Sequence, residues 1–382
     1  MKLNKIELNN YRNIKKLALS ACETINVIYG ENAQGKTNII ESIWLFTGNN
    51  SFRGSKMKEL ISFDCDSSKI EVSFEDKKRE QNASILFSQK KKITLNHVEL
   101  KSPSELSGNF YAVAFSPSDL SFIKEGPKNR RKFIDMAISQ IKPQYKNYLV
   151  TYDKLIEQRN ALLKSASLYP KLRQDIDVWD IQLSKIGTII SIYRNDYIKK
   201  LLAVAKEIYQ GLSSKREEFS IKYISTIYDE IEKINVYDDI QVECYYQKLK
   251  ETFENDVKQG YTTCGIHRDD LEVYIDGHLA KLFGSQGQQR SSVITIKLSE
   301  ACLLKRITGE NPIILLDDVM SELDEKRQDY ILNHVKEMQV FITCCDVTNT
   351  IRLKKGRLFH IEKGNIIDVK EINEEIIKYE KG

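Results

Sequence analysis

The octapeptide GENAQGKT at residues 30–37 decides how this chain of 382 residues is expected to fold. It fits the pattern GxxxxGK[ST]; a strand-like run (TINVIY, residues 24–29) precedes it, and residues 38–46 carry apolar side chains at helical spacing. In such a strand–loop–helix unit, backbone N–H groups converge on phosphate oxygens, and the positive end of the helix dipole adds to the attraction. We therefore predict an α/β lobe with a nucleoside triphosphate site.

The loop itself supplies most of the expected ATP contacts. Lys36 is predicted to reach the β- and γ-phosphates and to act in catalysis, and the Thr37 hydroxyl is predicted to bind Mg²⁺. The cofactors we expect are therefore ATP and Mg²⁺. The predicted ATP-binding residues of the loop are Gly30, Glu31, Asn32, Ala33, Gln34, Gly35, Lys36 and Thr37.

A second element, IILLDD at residues 313–318, has four apolar residues followed by two carboxylates, as expected of a Walker B strand. Asp317, at the end of the strand, is predicted to hold Mg²⁺. Asp318 is predicted to orient or deprotonate the attacking water. A buried strand capped by two aspartates would explain this run alone, but it would leave residues 30–37 unexplained.

Between these two elements lies FGSQGQQR, residues 283–290, followed by a helix-like stretch to residue 305. Ser285, Gly287 and Gln288 at the head of a helix predict a second anion site, because the first N–H groups of a helix have no partner within it. The octapeptide contains no lysine. We therefore expect it to cover the γ-phosphate held by a second copy, with Ser285 acting in catalysis; a glycine-rich helix start without a ligand is the alternative. Residues 321–324 (SELD) would lie along the seam of that dimer.

The middle of the chain, from about residue 128 to residue 211, has little turn chemistry and two apolar stripes at helical spacing. Pro170 separates the stripes, so we predict a helical hairpin whose second helix spans residues 171–209. From residue 260 the α/β pattern returns. We expect an α/β ATPase lobe with a mixed sheet, built from residues 1–125 and 256–382, and a mainly helical lobe inserted at residues 126–255. The two stripes are Tyr145, Leu149, Tyr152, Leu155 and Ile156, and Trp179, Leu183, Ile186, Ile190, Tyr193 and Tyr197.

Composition narrows the class of protein. Hydrophobic residues make up 41% and charged residues 29%, values typical of a soluble globular chain. We find neither a signal-peptide pattern nor an apolar run of about 20 residues, and the seven cysteines include no CxxC pair. We therefore expect a cytoplasmic protein with no membrane partner. The net charge of +4 permits a nucleic-acid partner without requiring one, and basic residues cluster at residues 90–92, 124–132 and 354–357.

In this order the elements resemble those of ATP-binding-cassette ATPases, and the blocks around them resemble the bacterial RecF family of recombinational repair. LNNYRN at residues 8–13 is similar to the opening LxNFRN of that family, and by this resemblance Arg12 and Asn13 also contact ATP. Residues 51–54 follow the P-loop where the family carries a similar serine-x-arginine segment. Further blocks with family counterparts are FSPSDL at 115–120, GP at 126–127, RRKFID at 130–135, TTCGIHRDDL at 262–271 and SQGQQR at 285–290.

This resemblance implies an ATP-dependent DNA-binding protein that forms a homodimer on gapped or junction DNA, double-stranded and in part single-stranded. Such a protein hydrolyses ATP weakly under DNA stimulation. It acts with RecO and RecR to load RecA, in the cytoplasm and associated with the nucleoid. If the chain binds DNA, the basic run that contains Arg130 and Arg131 is the first candidate surface, and Lys56 with Lys58 or the turn at residues 90–92 are the alternatives.

The chain departs from these patterns in three places. Ile266 stands where the family has proline, Asp318 replaces the glutamate of transporter-type sites, and residues 343–346 contain no histidine, where transporter ATPases carry one.

Two other function classes remain open. One is an ABC-type ATPase subunit of a machine that does not act on DNA. The other is an enzyme that uses ATP on a small substrate, for which His267 with Asp269 and Asp270 is the candidate cluster; a polar turn between the lobes is the alternative interpretation of these three residues.

Overall fold

The computed structural model describes residues 1–166, 175–213, 216–346 and 355–372. It contains two compact units. The split unit comprises Met1–Ser121 and Val293–Gly382, and the inserted unit comprises Phe122–Ser292. Among the described residues, no helix is both long enough and apolar enough to cross a membrane.

The split unit contains a mixed six-stranded sheet, in which all pairs are parallel except the first. Its central strands are buried along their whole length, as expected for parallel strands covered on both faces. Strands that run in parallel end at one edge of the sheet, so the residues following Tyr29, Asp317 and Cys344 meet there. In spatial order the strands are Asn365–Ile372, Gly356–Glu362, Ile25–Tyr29, Val340–Cys344, Ile313–Asp317 and Ala112–Phe115.

A second, antiparallel sheet of six strands completes the split unit. Its strand Ser68–Glu75 alternates buried and half-exposed residues, the pattern of a sheet with one face on the core. Lys2–Tyr11 and Ile14–Ser20 form a hairpin whose Tyr11 and Ile14 pair directly, so Arg12 and Asn13 occupy its turn. In spatial order the strands are Ile14–Ser20, Lys2–Tyr11, Ser68–Glu75, Glu80–Phe87, Lys92–Leu95 and Val98–Glu99.

Helices fill the remainder of the split unit. Lys36–Trp44 follows the loop at residues 30–37, as predicted, and a short 3-10 turn, Leu45–Thr47, extends it. The other α-helices are Pro117–Leu120 and Glu325–Val335, and the helix Gln286–Thr308 passes from the inserted unit into the split unit. The 3-10 turns outside the first helix are Met57–Leu60, Pro103–Glu105 and Val319–Glu322.

The inserted unit is mainly helical, as expected, but it also contains a three-stranded antiparallel sheet. The predicted hairpin is present: the helices Pro143–Ala166 and Asp177–Leu212 pack against each other. Residues 167–174, with Pro170 and the predicted start of the second helix, lie outside the described residues. The other helices are Pro127–Ile141, Asp239–Gln259 and Ala280–Phe283, a 3-10 turn spans Ile231–Lys233, and the strands are Phe219–Ile224, Asp270–Ile275 and His278–Leu279.

The inserted unit extends further than the sequence suggests. The expected boundary at residue 255 lies inside this unit, which ends at Ser292. The reason is a long-range pairing: Asp270–Ile275 pairs along its whole length with Phe219–Ile224 and so keeps residues 256–292 with the helices.

Candidate nucleotide site

The loop at residues 30–37 has the backbone geometry that its glycines predict. Gly30 and Gly35 have φ angles of 148° and 107°, in the region that glycine alone adopts readily. A Cβ at Gly30 would lie 2.3 Å from the carbonyl oxygen of Ile361, and one at Gly35 would lie 2.9 Å from Oδ1 of Asn13. The loop is therefore held against its neighbours at both glycines, and a side chain at either position would displace it.

Lys36 lies buried inside this loop. Its Nζ donates hydrogen bonds to the carbonyl oxygens of Gly30 at 2.7 Å and Glu31 at 2.9 Å, and it lies 3.8 Å from Sγ of Cys345. The side chain is only 4% exposed. The ammonium group is thus held by neutral acceptors, for which phosphate oxygens would be stronger replacements because they carry charge.

Thr37 and Asp317, both predicted to bind Mg²⁺, are in direct contact. The Thr37 hydroxyl donates to Oδ1 of Asp317 at 2.8 Å, and the Thr343 hydroxyl donates to the same oxygen at 2.9 Å. Burial raises the pKa of the Asp317 carboxyl, although these two hydrogen bonds act in the opposite direction. A hydroxyl and a carboxylate beside a phosphate-binding loop are the donors that Mg²⁺ uses together with phosphate oxygens. The residues present therefore fit this ion.

A cavity of about 380 Å³ is lined by Lys36 and Thr37 on one side and by Asp318 on another. The strand ends at Asp317, and Asp318 follows with a φ of 49°; its N–H donates to the Thr343 hydroxyl at 2.8 Å. The next strand along the chain therefore fixes the backbone of Asp318, the predicted water-positioning residue. The cavity is lined by Asn13, Asn32, Ala33, Gly35, Lys36, Thr37, Asn38, Arg53 and Asp318.

Arg12 and Asn13, which the LNNYRN block adds to the expected ATP contacts, have different neighbours in the structure. Asn13 lies on the loop, where its Nδ2 donates to the carbonyl of Ala33 at 3.2 Å. Arg12 instead forms an ion pair with the buried carboxylate of Glu41, its Nη2 donating to one carboxylate oxygen at 2.7 Å, and it also contacts Ser55. Asn13 therefore lines the nucleotide cavity, whereas Arg12 is not among the residues that line it.

The site also contains two residues that the sequence analysis did not select. Asn38 donates to Oδ1 of Asn13 at 2.7 Å, and Arg53 donates to Oδ1 of Asn38 at 2.9 Å. This chain of hydrogen bonds brings a guanidinium group to the wall of the nucleotide cavity. The similarity of residues 51–54 to a family segment pointed to Arg53 without giving it a role, and Asn38 is the residue directly after Thr37.

Gln34, also predicted to contact ATP, holds the loop to a neighbouring hairpin. Its Oε1 accepts from the N–H of Lys363 at 2.6 Å, and its carbonyl accepts from the N–H of Gly364 at 3.1 Å. These bonds connect the loop to the turn between Gly356–Glu362 and Asn365–Ile372. Glu31 and Asn32, which precede Gln34 in the same loop, are exposed.

In the inserted unit, Ser285 caps the helix Gln286–Thr308 as its sequence predicts. Its Oγ accepts from the N–H of Gln288 at 3.2 Å, and its own N–H donates to Oε1 of Gln288 at 2.8 Å. This reciprocal pair is a capping box, and Gln288 is also bonded to Glu217 at 2.8 Å. Ser285 is exposed and Gly287 is half-buried. The positive end of a long helix therefore presents a hydroxyl to the surface.

The cluster considered for small-substrate chemistry is a structural network inside the inserted unit rather than a turn between two lobes. His267 is bonded through Nδ1 to the hydroxyl of Tyr152 at 3.0 Å and through Nε2 to the carbonyl of Thr262 at 3.1 Å. Burial lowers the pKa of His267 to about 4. Asp269 is buried and accepts from the Tyr223 hydroxyl and from the N–H of Thr226. These partners give both side chains a role in holding the unit together.

Arg130 and Arg131, assigned to the DNA surface on the basis of the sequence, have internal partners as well. Arg130 is 3% exposed and forms a two-bond ion pair with Asp270, at 2.6 Å and 2.9 Å. Arg131 donates to the carbonyl of Asp269 at 2.6 Å. The assignment of Arg130 to an exposed surface was wrong, because a basic run on a helix also has a face that packs inward.

Comparison with known proteins shows which family the chain belongs to. The family model described as "RecF/RecN/SMC N terminal domain" matches residues 2–363. The DNA replication and repair protein RecF of Clostridioides difficile strain 630 is 40% identical over 376 residues, which cover 97% of this chain and 99% of that protein. The chain belongs to the RecF family. The RecF protein of Clostridium beijerinckii is 41% identical, over 96% of this chain and 99% of that protein.

Solved structures of the RecF family agree with this fold. A structure described as the recombination mediator protein RecF-ATPrS in the RecFOR pathway has a TM-score of 0.89 and 35% identity, and it covers 97% of this chain and 98% of its own. The corresponding RecF-ATP structure has a TM-score of 0.87, with 36% identity. An Smc head domain from Pyrococcus furiosus, at 16% identity and a TM-score of 0.53, shares the fold alone. The predicted family and the predicted ABC-type α/β fold are confirmed.

Proposed function

We propose that this chain binds ATP with Mg²⁺ and that ATP joins two copies into a dimer that acts in DNA replication and repair. The contact between Thr37 and Asp317 carries the proposal, because it brings the hydroxyl of the loop and the carboxylate at the end of the strand Ile313–Asp317 to one point beside Lys36. The names of the relatives support the biological role: two are called DNA replication and repair proteins, and two solved relatives are called recombination mediators.

Phosphate binding is the first step that the residues support. The loop N–H groups and Lys36 would bind the β- and γ-phosphates, the ammonium group exchanging the carbonyls of Gly30 and Glu31 for phosphate oxygens. Thr37 and Asp317 would hold Mg²⁺, which neutralises charge on those oxygens when bound. Asn13 and Arg53 line the same cavity and would contact the nucleotide from its other wall.

Hydrolysis needs a positioned water, and Asp318 is the carboxylate that lines the nucleotide cavity for this purpose. Its side chain is one methylene shorter than glutamate, so we expect slow turnover. Ser285 would complete the site from a second copy, where the positive end of its helix can face the γ-phosphate. Each dimer would then contain two sites, each made from residues of both chains.

The DNA partner is expected to be gapped or junction DNA, with hydrolysis stimulated when it binds. Because Arg130 is buried, we now assign phosphate-backbone contacts to exposed lysines of the split unit, namely Lys56, Lys58, Lys90 and Lys92. Lys354, in the third basic cluster, lies outside the described residues. The RecFOR pathway named in the description of a solved relative supports RecO and RecR as partners. RecA loading is the outcome we propose, in the cytoplasm and near the nucleoid.

Equilibrium sedimentation tests this proposal. The chain is measured without nucleotide, with ADP and with MgATP, each with and without duplex DNA, and Lys36→Met is the control. We expect the parent to be a dimer only when MgATP is present. Lys36→Met should stay a monomer under every condition. A monomer in all conditions, or a dimer that ignores the nucleotide, would contradict the proposal.

A further inference from the structure

We propose that, in the ATP-joined dimer, Phe283 of each copy inserts into an apolar cavity beside Asp318 of the other copy. This inference rests on the dimer of the proposed function and adds the apolar anchor that would hold it together.

The receiving cavity lies in the split unit and has a volume of about 320 Å³. Met320, Leu332, Ile342 and Cys344 form its apolar part. An apolar cavity of roughly 150 Å³ is already large enough to hold a benzene ring. One aromatic side chain from outside would therefore fit, and it would cover apolar atoms that water now reaches.

This cavity is adjacent to the nucleotide site. It shares Asn32 and Asp318 with the cavity that contains Lys36 and Thr37. A side chain that filled it would therefore lie beside the γ-phosphate end of a bound nucleotide, next to the residue that positions water.

Phe283 is an exposed aromatic residue on a rigid support. Its side chain is 72% exposed, and that of the preceding Leu282 is 68% exposed. The turn that carries them is closed by Gln289, whose buried Nε2 donates to the carbonyls of Ala280 at 2.9 Å and of Gly284 at 3.1 Å. A Cβ at Gly284 would lie 2.6 Å from the Ala280 carbonyl, so the backbone here is packed against itself. The structure therefore holds Phe283 outward on a fixed turn, where a partner surface would be expected to cover it.

The short separation between Phe283 and Ser285 determines where Phe283 lies in the dimer. Phe283 precedes Ser285 by two residues, which span at most about 7 Å. When Ser285 of one copy approaches the γ-phosphate bound by the other copy, Phe283 must arrive close to that phosphate. The cavity beside Asp318 is an apolar opening at that place.

Charge also favours this pairing. Lys281, in the same short turn as Phe283, is exposed, and the receiving cavity is lined by carboxylates. A cation that docks beside carboxylates favours the correct partner and suppresses wrong ones. A two-fold dimer makes each contact twice, once on each side of the axis. The carboxylates are Asp318, Glu322, Asp329 and Asp346.

A substitution series measures the contribution of the aromatic ring. Phe283→Ser should weaken ATP-dependent dimerisation by at least about tenfold, the usual effect of removing a buried aromatic anchor. ATP binding by the monomer should be unchanged. The matched control is Ile240→Ser, because Ile240 is 75% exposed in the same unit but far from Ser285 in the sequence. This control should dimerise like the parent.

Cross-linking tests the position of Phe283 directly. The native Cys344 lines the proposed cavity, and Cys345 stands next to it. Under mild oxidation with MgATP, Phe283→Cys should form a disulfide to Cys344 or Cys345 of the second copy, identified by mass spectrometry, and Ile240→Cys should not.

The outcomes separate this inference from the proposed function. If the parent dimerises with ATP while Phe283→Ser dimerises equally well and Phe283→Cys forms no such disulfide, the inference fails and the dimer stands. If the parent stays monomeric with ATP, both fail.

Discussion

Replacing Asp317 by asparagine should separate Mg²⁺ binding from folding. The carboxylate is 5% exposed, and its Oδ1 accepts hydrogen bonds from the hydroxyls of Thr37 and Thr343. An amide oxygen can still accept both bonds, so we expect the free energy of unfolding without nucleotide to change by less than about 1 kcal/mol. The negative charge that binds Mg²⁺ is lost.

The magnitude can be worked out from ligand linkage. Residues that merely support a metal ligand are worth about 10- to 100-fold in affinity, so losing the ligand charge should weaken MgATP binding by about 100-fold. A ligand at about 100 times its Kd stabilises the folded state by about 2.7 kcal/mol. For Asp317→Asn at the same concentration, the stabilisation should fall to about 0.4 kcal/mol.

Urea unfolding without MgATP measures the free energy of unfolding, and the same experiment with MgATP measures the stabilisation by the ligand. Asp317→Glu serves as a control variant that retains the charge. The reasoning is refuted if Asp317→Asn keeps the full stabilisation by MgATP. It is also refuted if the variant loses several kcal/mol without nucleotide, because the carboxylate would then be mainly structural.

Four further predictions concern Asp318, His267, the exposed lysines and Arg130. Asp318→Asn should bind MgATP like the parent but lose hydrolysis and accumulate as a dimer, which nucleotide trapping and sedimentation would detect; equal losses of binding and turnover would contradict this role. Because the pKa of His267 is lowered to about 4, the unfolded chain binds more protons between about pH 6.5 and pH 4. Stability contributed by the neutral ring is present above about pH 6.5 and is lost as pH falls through this range, by at most about 1.4 kcal/mol per pH unit; His267→Gln should flatten the profile measured by urea unfolding. Charge reversal at Lys56 and Lys58 should lower DNA affinity and reduce its salt dependence, without loss of stability. Arg130→Glu should instead destabilise the fold by about 3–5 kcal/mol, because it places a carboxylate at a buried position beside the carboxylate of Asp270; a soluble, stable variant with weak DNA binding would reverse this assignment.

The local features of the nucleotide site could be predicted from the sequence. The loop at residues 30–37 and the strand Ile313–Asp317 are each specified by adjacent residues, since glycine spacing and an apolar run decide their conformation. The assignment of Thr37 and Asp317 to one Mg²⁺ site requires the two residues to meet. Their direct contact, 280 positions apart in the sequence, agrees with this placement.

Features that depend on distant partners could not be predicted in the same way. Arg130 is part of a basic run, and only its pairing with Asp270, 140 positions away, shows that it is buried. The extent of the inserted unit similarly depends on a strand pairing between residues 219–224 and 270–275. Arg53 reaches the nucleotide cavity through Asn38, a contact between two side chains that carries no local sequence signal.

The central claim, that ATP is held by residues of two copies, is tested most directly by mixing two inactive variants. Ser285→Arg keeps its own loop and Asp317, so its monomer should bind ATP but not dimerise, because a bulky cation replaces the hydroxyl. Lys36→Met keeps Ser285 but cannot bind ATP productively. A mixed dimer contains one complete site, so ATP hydrolysis should recover in part when the variants are combined. If mixing restores nothing while Ser285→Arg alone hydrolyses ATP at the parental rate as a monomer, the shared site is contradicted.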